Sequence, residues 1–166
     1  MLIFIDGNPL RAAELAQLGL EVRVEALQTG FSTSAPEPGH RARDKVLAHP
    51  VAAGGAFAEA VDLTTIDGKS LRLELDSEND NRFCKWWRET PVKMLLAVAL
   101  RRAPGADIEL FTATCDGVIA NKPAGPQILG WDRLFVPAGE ELTLAQLTEA
   151  GELVAFRRAV YEQLRA

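Results

Sequence analysis

Apolar and polar positions change period several times along this chain, and each change marks an element. Leu2 to Ile5 is an unbroken apolar run, the pattern of a buried strand. Asp6-Gly7-Asn8-Pro9 breaks it, and Leu10 to Leu18 then carries Leu10, Ala13, Glu14 and Gln17 at helical spacing, with Gly19 as the stop. From Leu20 to Leu27 the residues alternate, Leu20, Val22, Val24 and Ala26 against Glu21, Arg23 and Glu25, which predicts a half-exposed strand. Gln28 to Gly39 is rich in Ser, Thr, Pro and Gly and reads as a loop. His40 to His49 spaces Ala42, Lys45, Val46 and His49 as a short helix, and Pro50 stops it.

The pattern is least decided between Val51 and Asp76. Ala56 to Leu63 fits a helix with Phe57, Ala60 and Val61 on one face; it also fits a strand in which Phe57, Val61 and Leu63 alternate imperfectly. Asp67-Gly68 is a hairpin-turn signal. Ser70 to Asp76 sets Leu71, Leu73 and Leu75 against Arg72, Glu74 and Asp76, which predicts a strand. Asn79 to Glu89 carries Phe83, Trp86 and Trp87 at helical spacing and reads as a core-facing helix. Pro91 to Arg101 reads as a central buried strand, and Asp107 to Thr114 as its antiparallel partner across the Ala103-Pro104-Gly105 turn. Thr143 to Leu147 is a short helix or turn. Glu149 to Leu164 is a final helix, with Leu153, Val154, Arg157, Val160, Tyr161 and Leu164 along one side.

The 166 residues predict a single domain, 1–166, long enough to bury a sizeable core. A net charge of −5 with no dense Lys/Arg cluster argues against a nucleic-acid partner, though a few focused basic residues could still hold a nucleotide. No apolar run reaches the length of a membrane span, and the opening MLIFIDGN has no basic leader, so the expected location is cytoplasmic. Two cysteines, Cys84 and Cys115, are too few for a disulfide framework or a zinc site. His40 and His49 are too isolated to be read as metal ligands.

Two stretches carry candidate chemistry. The first is the strand, glycine turn and helix start around Asp6 to Arg11: unpaired N–H groups and the helix dipole favour an anion there, and Arg11 lies on the first helical turn. The second is Cys115 to Gly139, which leaves the strand end Ala113 to Ile119, crosses a Pro/Gly-rich loop to Gly130-Trp131-Asp132, and closes on Leu134-Phe135-Val136. An indole beside a carboxylate offers a flat face to stack on and an acceptor for an N–H donor, which suits a purine base.

The order GVI, PAG, GWD, an LFVP strand and then TLAQL resembles the inosine triphosphate pyrophosphatase family, over Pro91 to Leu164 and more weakly over Ile3 to Leu18. The resemblance implies an α/β fold with a central mixed, twisted sheet flanked by helices, and two lobes around a nucleotide cleft. It implies a metal-dependent hydrolase that cleaves purine or non-canonical purine nucleoside triphosphates to monophosphate and pyrophosphate, uses Mg²⁺ and forms a homodimer. Carried over by position, Asn8 and Arg11 would hold phosphates, with Arg11 in place of Lys. Asp76, with Glu74 or Glu59, would hold the metal and activate water; Glu37 is the alternative to Glu59. Trp131, Asp132 and Arg157 would define the base pocket.

Several positions depart from the family pattern. Asp6 replaces a hydroxyl, Leu75 replaces a second acid, Arg133 replaces a proline, and Ala155-Phe156 replace Ser-His, while the family's nearby Lys has no counterpart. The alternatives are therefore a nucleotide-binding protein that has lost catalysis, and a scaffold that keeps only the fold.

Overall fold

A computed structural model describes residues 1–28, 30–50 and 54–165. Thr29, in the expected Gln28 to Gly39 loop, and Val51 to Ala53, at the head of the undecided region, lie outside the described residues. Six strands form one sheet in the order β2-β1-β3-β4-β5-β6, with helices packed beside them. The chain divides into two compact units, Met1–Val61 with Leu96–Ala113 and Ala155–Ala166, and Asp62–Leu95 with Thr114–Val154.

In the first unit, β1 (Leu2–Ile5) runs parallel to both β2 (Val22–Glu25) and β3 (Ala56–Thr65). A strand with parallel neighbours on both sides is covered on both faces, which is why Leu2 to Ile5 is a continuous apolar run rather than an alternating one. The undecided Ala56 to Leu63 segment is therefore a strand. Its small residues Ala56 and Ala58 pack with Ile3, Ile5 and Ala99 against Ala42 and Val46 of α2 (Pro38–Ala48). α1 (Pro9–Gln17) starts where Asn8 Oδ1 accepts from the Leu10 N–H at 2.9 Å and Pro9 sets the first turn. Gly7 is required just ahead of it, since a Cβ there would stand 2.4 Å from the ring of Phe4, which stacks on Phe57 at 4.5 Å.

Glu149 to Leu164 does not form one helix. α6 covers only Ala155–Tyr161, followed by a 3₁₀ turn at Glu162–Arg165, and Leu153 and Val154 lie outside it. The preceding helix ends at Glu149, Gly151 follows at φ 82°, and a left-handed glycine just past a helix end terminates it.

In the second unit the strand expected at Ser70 to Asp76 is a helix, α3 (Arg72–Ser77). The three leucines fit either period, but Leu71 and Leu75, four apart, are the buried pair, while Leu73 is 79% exposed. The end of β3 turns through Asp67-Gly68, bridges Thr64 to Ser70 and closes with Leu71 N–H on the Leu63 carbonyl at 2.8 Å, so the ladder stops before the leucines can extend it. α4 (Asp80–Trp87) is capped by Asn79, which accepts from the Arg82 N–H at 2.9 Å. It buries Phe83 and Cys84, but Trp86 is 74% exposed and does not face the core. β4 (Pro91–Arg101) has the expected bounds, and β5 (Ile108–Ile119) is longer than expected because Asp107 to Thr114 and Ala113 to Ile119 are one strand. β6 (Phe135–Pro137) pairs antiparallel with β5, where Gly117 faces Pro137; a Cβ on Gly117 would stand 2.3 Å from the Val136 carbonyl. α5 (Leu144–Glu149) opens with a capping box between Thr143 and Gln146.

Candidate functional site

The first unit holds the expected phosphate residues, Asn8 and Arg11, and Arg11 turns inward. Asn8 caps α1. Arg11 is buried, and its Nη1 donates to both carboxylate oxygens of Glu14, at 2.9 and 2.8 Å. Asp6, at φ 53°, carries an exposed carboxylate that faces the ammonium of Lys45 at 3.6 Å, and Lys45 also donates to the Glu59 carbonyl at 3.1 Å. A nearby cation thus offsets the repulsion expected between Asp6 and a phosphate.

Arg157 lies on α6 with its side chain 2% exposed. Its Nη1 reaches Glu59 Oε2 at 3.5 Å and Tyr161 Oη at 3.3 Å. Arg11, Glu14, Glu59, Arg157 and Tyr161 form one electrostatic group. Burial, then the charge of Arg157, pulls Arg11 below its ordinary value. Burial pulls Arg157 down as well, but Tyr161, Glu59 and Glu14 together outweigh it and raise its value. Burial and Glu59 push the Tyr161 phenol well up, so it stays protonated. Glu14, Lys45 and Tyr161 were missed as members of this region. The Arg11/Glu14 pair at i,i+3 and the Arg157/Tyr161 pair at i,i+4 were the signals that could have found two of them.

Asp76 and Glu74 stand on α3, not at a strand end. Asp76 is exposed and 3.8 Å from Arg72, while Glu74 is held by Lys69 at 2.6 Å, a hydrogen bond that keeps its carboxyl below the usual range. Among the described residues no group of three or more His, Cys, Asp or Glu gathers to hold a metal. Two carboxylate oxygens are buried without a hydrogen-bond partner, Glu59 Oε1 and Glu74 Oε2; Glu74 is already paired with Lys69 through its other oxygen, so Glu59 Oε1 is the better fit for a cation. Mg²⁺ commonly takes one or two protein carboxylates and completes its shell with substrate phosphates and water.

The Trp131-Asp132 loop lies in the second unit. Gln127–Leu134 forms two short 3₁₀ turns separated by Gly130 at φ 53° and ψ −120°, a conformation open to glycine but not to side-chain-bearing residues. That kink sets Trp131 half-exposed and Asp132 buried. Thr143 donates its hydroxyl to the Ala124 carbonyl at 2.7 Å while capping α5. Thr143→Ala should therefore cost about 1 kcal/mol of stability, measured by urea unfolding, from the lost cap. A cost near zero would show that the capping box is dispensable.

Cys84 lies beneath the same region. Burial and the charge of Asp80 push its thiol from 9.0 up to about 11, against the opposing charge of Arg133. A folded-state pKa above the unfolded one gives stability that is complete below pH 9 and lost as pH rises toward about 11. Cys84→Ala should flatten that fall in urea midpoints taken from pH 8 to 11, relative to the parent; an unchanged slope would remove Cys84 from the account.

The loop, the β5–β6 pairing and the sheet order can be compared with known proteins. An inosine triphosphate pyrophosphatase from Yarrowia lipolytica is 26% identical over 158 residues, covering 89% of this chain and 84% of its own. A dITP/XTP pyrophosphatase from Methylacidiphilum infernorum is 39% identical over 101 residues, 60% of this chain and 50% of its own. The structure of a HAM1 protein from Coxiella burnetii superposes with a TM-score of 0.68 over 98% of this chain and 95% of that one; at 17% identity this likeness speaks for the fold alone. The sequence pattern of the Ham1 family matches residues 74–165, from α3 through the Trp131-Asp132 loop to the last turn, and with more than half of its length so matched the chain belongs to the Ham1 family.

Proposed function

We propose that this protein hydrolyses nucleoside triphosphates to monophosphate and pyrophosphate, and that its substrates are non-canonical purine nucleotides. The observation that carries the proposal is the Trp131-Asp132 pair, half-exposed indole beside buried carboxylate, on a loop inside the family-matched stretch. A relative 39% identical over 101 residues of this chain is named for dITP and XTP. A purine can stack on the indole, while its ring N–H groups need a fixed acceptor nearby.

Within the first unit, taken by itself, several side chains suit an anionic group. The N–H groups of Leu10, Arg11 and Ala12 all close on Asn8, so the unpaired donors expected at the start of α1 are taken; the positive end of the helix dipole remains, and Lys45 adds a positive charge beside Asp6. Glu59, with its bare Oε1, would hold a Mg²⁺ that arrives with the triphosphate; such an ion, when bound, supplies charge neutralisation at the phosphates. Arg157 holds the Glu59 carboxylate in place through the contact at 3.5 Å. Arg11 keeps its ion pair with Glu14 and shapes the interior. Asp76 is exposed on α3 and Glu74 is held by Lys69, so Glu59 takes the carboxylate role in place of Asp76.

The test is pyrophosphate release from ITP, dITP, XTP, ATP and GTP, with and without Mg²⁺. The expected result is turnover of the 6-keto non-canonical nucleotides, lost on chelation and lost in Glu59→Gln. Tight nucleotide binding without turnover would replace the proposal with a binding protein, and no binding would end it.

A further inference from the structure

We propose that Arg133 is a positioning residue for base selection, a clamp that fastens the Trp131-Asp132 loop to the first turn of α4. The inference rests on the nucleotide reading above and adds a specificity determinant to it. Arg133 Nη1 donates to Asp80 Oδ2 at 2.7 Å, and its Nε donates to the Gly125 carbonyl at 3.1 Å. The Arg133 carbonyl in turn accepts from the Ala124 N–H at 3.0 Å. One residue thereby ties the entry of the loop to its exit, and both to α4.

The loop needs such a tie. Its interior is two 3₁₀ turns broken at Gly130, directly before Trp131, so the backbone has no continuous ladder of its own there. The anchor points, by contrast, are fixed. Gly125 packs so closely that a Cβ would stand 2.7 Å from Ala145 Cβ, and Asp80 belongs to a helix capped by Asn79. The guanidinium fork spans two acceptors in a set geometry, which a lysine ammonium on its flexible stem does not. Trp131 and Asp132 are the two residues immediately before Arg133, so a shift of the clamp is passed to them without intervening slack. Recognition of a base edge tolerates only about 0.5 Å of displacement.

The test compares Asp80→Asn, Arg133→Gln and Arg133→Lys with the parent, reading KM, kcat and the preference between a 6-keto purine nucleotide, ITP, and its 6-amino counterpart, ATP. Arg82→Gln, which removes an exposed pair on the same helix, is the control. Asp80→Asn and Arg133→Gln should each raise KM for ITP about tenfold and narrow the ITP/ATP preference, with kcat within about twofold, because positioned polar groups set discrimination. The double variant should be no worse than Arg133→Gln alone, since the two changes break one interaction. Arg133→Lys should fall between parent and Arg133→Gln.

An unchanged ITP/ATP preference in Asp80→Asn, or a fall in apparent kcat at unchanged KM as in a general loss of folded protein, overturns the clamp. Asp80 sits at the exposed start of a helix, so its variant decides the matter even where Arg133→Gln does not fold. A parent protein that neither binds nor hydrolyses these nucleotides overturns the reading beneath the clamp. A selective parent with an unaltered Asp80→Asn overturns the clamp alone.

Discussion

Arg157→Met should cost about 3–5 kcal/mol of folding free energy, the range found when one member of a buried ion pair is removed. The side chain is almost fully enclosed, with Glu59 at 3.5 Å and the Tyr161 hydroxyl at 3.3 Å. Removing the guanidinium leaves Glu59 buried without its cation, and Arg11 is already engaged by Glu14. Most of the cost is thus the desolvated carboxylate left behind, not the lost attraction. Glu59→Leu combined with Arg157→Met should recover much of the loss, since it removes both charges and keeps apolar volume. Urea unfolding of the two single variants and the double at neutral pH measures this. A loss below about 1 kcal/mol for Arg157→Met would mean that water reaches the cluster, and would place Arg157 among solvated pairs.

Trp131→Ala should weaken purine nucleotide binding by about 1–3 kcal/mol, roughly a 5- to 150-fold rise in dissociation constant, if the ring stacks on a base. The half-exposed ring makes this a test of binding rather than of folding, so the unfolding midpoint should move far less than the affinity. Trp131→Phe keeps a stacking face and should lose less than Trp131→Ala. Binding titration with a 6-keto purine triphosphate checks both. Equal affinity in parent and Trp131→Ala would assign the ring to packing against its own loop.

The elements that could be read from the chain are those whose pattern is local. β1, α1 and β4 appear with bounds close to those expected, because a continuous apolar run, a cap followed by helical spacing, and a turn at each end each carry their own signal. The Trp131-Asp132 pair was visible for the same reason: its two members are adjacent, and the kink that sets them is a glycine. Leu71, Leu73 and Leu75 were misread because alternate leucines satisfy a strand, whereas a helix needs only Leu71 and Leu75. Only the early closure at Leu63 and Leu71 decided between them.

Charge pairing was the least legible. Arg11 and Arg157 carry the residue types expected of phosphate and base contacts, yet Arg11 closes on Glu14 and Arg157 on Glu59 in the interior of the first unit. Arg157 and Glu59 are 98 positions apart, and no periodicity relates them. The sequence by itself determined much of the strand and helix alternation, the Gly130-Trp131-Asp132 motif and the family to which the chain belongs. The tertiary structure alone decided which carboxylate each arginine meets and which acids stay in water. Periodicity acts between neighbours in the chain, while an ion pair depends on distance and burial in space.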